Sequence, residues 1–198
     1  MLKKANEEQA AQSYDERREQ IKKAALKVFA NRGIAGTKMS MIAAEAGISQ
    51  GLSYRYFSSK EEIFTILVQE AMEQAESAIK NVGQLPGTPT EQLRALTINM
   101  LDPDHKLVFL LLQQARTSDD VPEKVRLLLE QYSPKSIIDQ LIPTFVRGQQ
   151  AEEFCIGDPY KLLFLYFTVI TGLMLQDVQV EEDYWRKEVD QLMKLITN

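Results

Sequence analysis

The sequence predicts an all-α protein: a small N-terminal helical bundle carrying a helix-turn-helix, then a larger C-terminal helical bundle, about nine helices together. Three observations lead there. Apolar residues recur at helical spacing along most of the chain, and no stretch alternates apolar and polar with period two for long. No Asn-Gly or Asp-Gly hairpin signal occurs. Two glycines and two prolines make GQLPGTPT, residues 83–90, the clearest break in the chain.

Taken in order, a first helix over residues 15–31 presents Ile21, Ala25, Val28 and Phe29 on one face and stops at Gly33. A short second helix over 39–45 has Met39, Ile42 and Ala43 on one side, and Gly47 ends it. A third starts after Ser49 and runs to near Phe57. The fourth, over 59–82, begins behind Ser58 and Ser59 with Glu61 and Glu62 in its first turn, where carboxylates complement the helix dipole. Beyond the 83–90 break, helices are expected at 90–101, 103–117, 121–148, 159–178 and 182–197. Pro103, Pro122 and Pro159 suit first turns, whereas Pro134 and Pro143 threaten a kink or break inside 121–148. The domain division expected is residues 1–60 for an N-terminal arm and helix-turn-helix, and 61–198 for the body, with the helix at 59–82 as connector.

Charge points to an anionic partner at one end. The net charge is −5, yet residues 1–60 hold 11 Lys and Arg against 6 Asp and Glu, and residues 61–198 hold 12 against 22. A basic first third on an acidic body is the footprint of a nucleic-acid contact. The stretch TKMSMIAAEAGISQGLSYRYFSSKEEIF, residues 37–64, supplies the reader. Gly47 in the turn over 46–49 allows the sharp reversal between two short helices, with Ile42 and Ile48 as the seam. Ser49 caps the second of them. Gln50 offers a donor and an acceptor to a base edge, Gly51 permits close backbone approach, and Tyr54 and Tyr56 carry hydroxyls for phosphates. Arg55 reaches phosphate or guanine, and Lys60 adds a further phosphate contact.

The pattern AxxAGISxGxxYxYFxSKEEIF, with KKAALKVFANRGIAGT before it, resembles the TetR family of bacterial repressors over about residues 15–64. RGQQAEEF followed by DPYKLL is similar to the stretch before that family's eighth helix. The resemblance implies a homodimer whose second and third helices enter the major groove, whose last two helices pair across the dimer, and whose C-terminal domain encloses a ligand pocket. Carried over by position, the DNA contacts fall on Lys38, Ser40, Ser49, Gln50, Gly51, Tyr54, Arg55, Tyr56 and Lys60. Two features depart from the family's pattern: Gln50 stands where lysine is frequent, and Leu52-Ser53 where a small and then an apolar residue are usual.

The helix over 159–178 is apolar nearly all round (LLFLYFTVITGLML), so it must be covered on every side, in part by a second subunit. Gly172 and Leu175, with Val189, Leu192, Met193 and Ile196 of the last helix, are the expected dimer interface. The expected effector pocket is lined by His105, Phe109, Gln113, Arg116, Phe145, Phe164, Phe167 and Thr171, an apolar set with few polar groups. Binding of a small apolar or amphipathic ligand would select a conformer unable to hold a palindromic operator. The alternative is a helical DNA-binding or adaptor protein without a ligand switch.

Enzymatic function is not expected. One histidine and one cysteine, Cys155, leave no HExxH, no CxxC pair and no GxSxG elbow, so neither a metal nor a cofactor is called for. The N-terminus MLKKANEEQAAQ has no apolar signal region, and the longest apolar run, residues 162–175, is too short to span a bilayer. A cytoplasmic protein is expected.

Overall fold

The computed structural model describes residues 2–176 and 184–198, and they form helices joined by short turns. The order is α1 (Leu2–Arg32), α2 (Met39–Glu45), α3 (Gln50–Ser53), α4 (Lys60–Asn81), a 3-10 turn (Val82–Gln84), α5 (Pro89–Met100), α6 (Pro103–Thr117), α7 (Glu123–Gln131), α8 (Pro134–Gln150), α9 (Pro159–Leu175), α10 (Tyr184–Lys187) and α11 (Val189–Met193). The expected helix ends at residue 178 and residue 182 lie outside the described residues.

Several boundaries differ from expectation for physical reasons. α1 begins well before residue 15, because LKKANEEQAAQ lacks an apolar stripe but is rich in strong helix formers. The expected helix over 121–148 is two: Pro134 cannot continue α7, and instead occupies the first turn of α8 behind the Ser133 cap. Pro143 lies inside α8, which continues through it. The expected helix over 182–197 is broken between α10 and α11.

The chain forms two compact units, one reaching up to Glu70 and including Leu110–Leu127, the other comprising Ala71–Phe109 and the residues from Leu128 on. The boundaries between them fall inside α4, α6 and α7.

In the first unit, α1 ends on Gly33 at φ +66°, whose N–H donates to Phe29 O at 2.8 Å. Ile21, Ala25, Phe29, Ile42, Phe57, Ile63 and Phe64 are buried, with Phe29 and Phe64 edge to face at 5.1 Å. Lys22, only 8% exposed, crosses from α1 to α4: its ammonium meets both Glu70 oxygens at 2.6 and 2.8 Å and Glu19 at 2.8 Å. Burial opposes its charge, but the hydrogen bonds it donates to the two carboxylates, with their charge, outweigh that and raise its pKa. Gln114 of α6 donates to Ala30 O at 3.5 Å.

In the second unit, Leu93, Leu141, Phe145, Phe154, Leu163, Tyr166, Ile170, Val189, Met193 and Ile196 belong to one core. Phe145 and Phe154 stack at 4.6 Å, and Gly148 makes room for that stack, because a Cβ at 148 would run into the Phe154 ring. A short antiparallel bridge, Phe154 with Thr197, fastens the C-terminal end there. The Tyr166 hydroxyl, paired with Thr97 Oγ1 at 2.7 Å, is pushed up to about 12 by burial.

Candidate DNA-binding site

The turn between α2 and α3 is built by backbone hydrogen bonds. Gly47, at φ +67°, donates to Ala44 O at 3.1 Å, and Ile48 N–H donates to Ala43 O at 2.9 Å. This pair closes α2 as a Schellman motif, which needs a left-handed residue at position 47. From α1, Gln20 donates to Ala46 O at 2.7 Å and fixes the turn from outside.

α3 starts behind Ser49, whose hydroxyl accepts from Leu52 N–H at 3.2 Å. Ser53, which departs from the family pattern, is fully buried, and its hydroxyl donates to Gln50 O at 2.7 Å. That bond satisfies a polar group where an apolar one would otherwise pack. Only residues 50–53 are α-helical; the chain continues as turns through 54–56 rather than as a helix to Phe57.

Of the expected contact residues, Lys38, Ser40, Ser49, Gln50, Gly51, Tyr54 and Arg55 are all exposed. A Cβ added at Gly51 would meet nothing within 4 Å. Tyr56 is half-buried with its ring stacked on Tyr14 of α1 at 4.8 Å. Lys60 is also half-buried, and its ammonium donates to Ile34 O at 2.7 Å and Thr37 O at 2.9 Å. Two of its three donors thus brace the loop leading into α2. At the head of α4, Ser59 Oγ accepts from Glu62 N–H, and the Glu62 carboxylate accepts from the Ser58 amide and hydroxyl, each at 2.7 Å. The Ser58 hydroxyl hydrogen bond is the main reason its carboxyl lies below the usual range.

Tyr14 and Arg18 were not among the expected site residues. Arg18 donates to Tyr56 O at 2.9 Å, and its guanidinium lies 4.2 Å from the Phe57 ring centre. Nothing local in the sequence signals these contacts, because 38 residues separate Arg18 from Tyr56.

Residues 21–65 match the family model for bacterial regulatory proteins of the tetR family. The chain is 30% identical to the fatty acid metabolism regulator protein of Bacillus subtilis over 139 residues, 68% of this chain and 70% of that relative. It belongs to the tetR family. It is thus a helix-turn-helix transcriptional regulator, in a family of operator-binding, non-enzymatic proteins. The fold is similar to that of the ketosteroid transcriptional regulator KstR2 of Mycobacterium tuberculosis, with a TM-score of 0.71 at 19% identity, covering 92% of this chain and 95% of that one. It is likewise similar to a chain from Saccharomonospora viridis in complex with choline, with a TM-score of 0.70 at 20% identity over 93% and 99% of the two chains. No helix among the described residues is long and apolar enough to cross a membrane.

The residues expected to line an effector pocket in this family member occupy differing environments. Phe145 is a fully buried core residue on Phe154, and Phe109 and Phe167 are half-buried against the same core. Phe164 instead faces outward at 48% exposure, its ring parallel to Tyr160, because it lies opposite the buried face of α9. His105 engages Asn99 O through Nδ1 at 2.7 Å, within the α5–α6 connection. Gln113 and Thr171 are half-buried, and Arg116 is exposed.

The residues expected at a dimer interface divide in the same way. Gly172 and Leu175 are exposed on α9 and Leu192 is half-buried. Val189, Met193 and Ile196 are instead 0–4% exposed within the chain's own core, since α11 and the turn after it use their apolar residues to close the second unit. α9 also carries uncovered apolar side chains: Phe164, Leu165, Val169 and Leu175, each 41–61% exposed.

Proposed function

We propose that this chain is a repressor that binds a palindromic operator as a homodimer and is released by a small apolar or amphipathic effector. The observation that carries the DNA reading is the exposed set Lys38, Ser40, Ser49, Gln50, Gly51, Tyr54 and Arg55, gathered on α2, α3 and their flanking turns. Gln50 and Arg55 read base edges, Ser40, Tyr54 and Lys38 hold phosphates, and Tyr56 adds its hydroxyl. Lys60, whose ammonium already meets the Ile34 and Thr37 carbonyls and lies 3.9 Å from the Glu61 carboxylate, joins them as a weaker contact.

Dimerisation rests on α9. Gly172 lies within α9, at the start of its last turn, with nothing within 4 Å of an added Cβ, so no packing inside the chain requires it. A glycine costs a helix interior about 1 kcal/mol relative to alanine, and a close partner helix on the exposed face of α9 gives that cost a reason. The body from residue 61 on then carries effector and partner, and the dimer sets two reading helices roughly 34–36 Å apart, or a multiple of that. The relatives' names, fatty acid and ketosteroid, favour an apolar effector.

The test is a mobility shift on the sequence upstream of the protein's own gene. Gln50→Ala with Tyr54→Ala should abolish the preference for that fragment over unrelated DNA. Equal binding to both DNAs by the unaltered protein would overturn the reading. Adding a long-chain fatty acid, a steroid acid or choline should show which class releases the DNA; if operator DNA left the affinity for the releasing compound unchanged, the coupling would fail.

A further inference from the structure

The reading segment has little helix of its own to hold it. α3 is a single turn, and residues 54–56, which carry Tyr54, Arg55 and Tyr56, continue it only as hydrogen-bonded turns. Their orientation therefore depends on what packs on them from outside. α1 supplies that contact at two points one helical turn apart, Tyr14 and Arg18. The Tyr14 ring stacks on Tyr56 at a centroid distance of 4.8 Å and an interplanar angle of 30°. Arg18 places one N–H on Tyr56 O and its guanidinium over Phe57, which is 1% exposed. A cation on the last carbonyls of a helical segment satisfies acceptors that have no amide of their own and complements the dipole.

Tyr14 has little to do for the fold. It is 44% exposed and its ring meets Tyr56 rather than the core. The two tyrosines thus form a half-exposed pair whose mutual packing fixes where the Tyr56 hydroxyl points.

We propose that Tyr14 and Arg18 are positioning residues for DNA binding, a two-point clamp from α1 that orients residues 54–56 for the operator. The proposal rests on the reading of Tyr56 as a DNA contact, and it assigns to α1 a part in operator affinity that its place outside the helix-turn-helix does not suggest.

The experiment is a double-mutant cycle on operator affinity, using the full chain and a duplex from upstream of its own gene. Tyr14→Ala should weaken binding on the order of five- to tenfold, the worth of an aromatic pair. Tyr14→Phe should bind as the unaltered protein does, since it keeps the ring. Tyr14→Ala with Tyr56→Ala should bind no more weakly than Tyr56→Ala alone. Additive losses would overturn the clamp, as would a Tyr14→Ala variant that binds normally while Tyr56→Ala does not. If Tyr56→Ala itself binds normally, the contact reading fails and takes the clamp with it. Arg18→Ala should lower affinity while leaving the slope of log affinity against log salt unchanged; a slope smaller by about 0.9 would mark Arg18 as a phosphate contact instead. The unfolding temperature of Tyr14→Ala should fall by only the few degrees that one aromatic pair is worth, and a larger loss of stability would mean the stack serves the fold.

Discussion

Gly51 carries a cost that the free protein does not recover. It is exposed, it lies in α3, and a methyl group there would touch nothing. Alanine at 51 should therefore raise stability by about 0.5–1 kcal/mol, read from urea unfolding, while weakening operator binding at least several-fold. A variant that gained stability and kept full affinity would show that no DNA backbone comes close to position 51. Ser53 shows the opposite case: its departure from the family pattern is absorbed inside the protein by the bond to Gln50 O, so it leaves the exposed reading face unaltered. Lys60 also differs in weight from the other contact candidates, because the Ile34 and Thr37 carbonyls already occupy most of its donors.

Among the elements, α4 has a pH-sensitive start. The Glu62 carboxylate accepts two hydrogen bonds from Ser58, and its folded pKa is lowered from the ordinary 4.5. A lowered carboxyl contributes stability that is fully present above its unfolded value and lost as pH falls through the folded one. Unfolding free energy should thus fall below about pH 4.5, and Ser58→Ala should flatten that decline. The same acid dependence in Ser58→Ala and the unaltered protein would remove Glu62 from the account. α1 and α11 show how element-level reading succeeds and fails. The start of α1 has no apolar period to announce it and forms on propensity alone. The stripe of Val189, Met193 and Ile196 was legible as an apolar face, but periodicity cannot say whether the surface it meets belongs to the same chain or to another.

At the scale of the whole molecule, the exposed apolar face of α9 predicts assembly. Leu165 is 61% exposed, so Leu165→Glu should leave the folded chain intact while halving its mass in light scattering and removing tight operator binding. A protein that stays the same size with this change would place the interface elsewhere. The division of the chain inside α4, α6 and α7 also matters here. Each of these helices has residues in both units.

The sequence by itself determined the helical class, the glycine-closed turn between α2 and α3, and the residue types exposed on the helix-turn-helix. All three depend on local chemistry: period, capping and backbone freedom at a glycine. Only the tertiary structure decided which apolar stripes close the chain's own core, where Lys60 spends its hydrogen bonds, and that Tyr14 and Arg18 brace residues 54–56. Those depend on contacts between residues far apart in the chain, 38 positions in the case of Arg18 and Tyr56, and no local pattern encodes which distant partner a side chain meets.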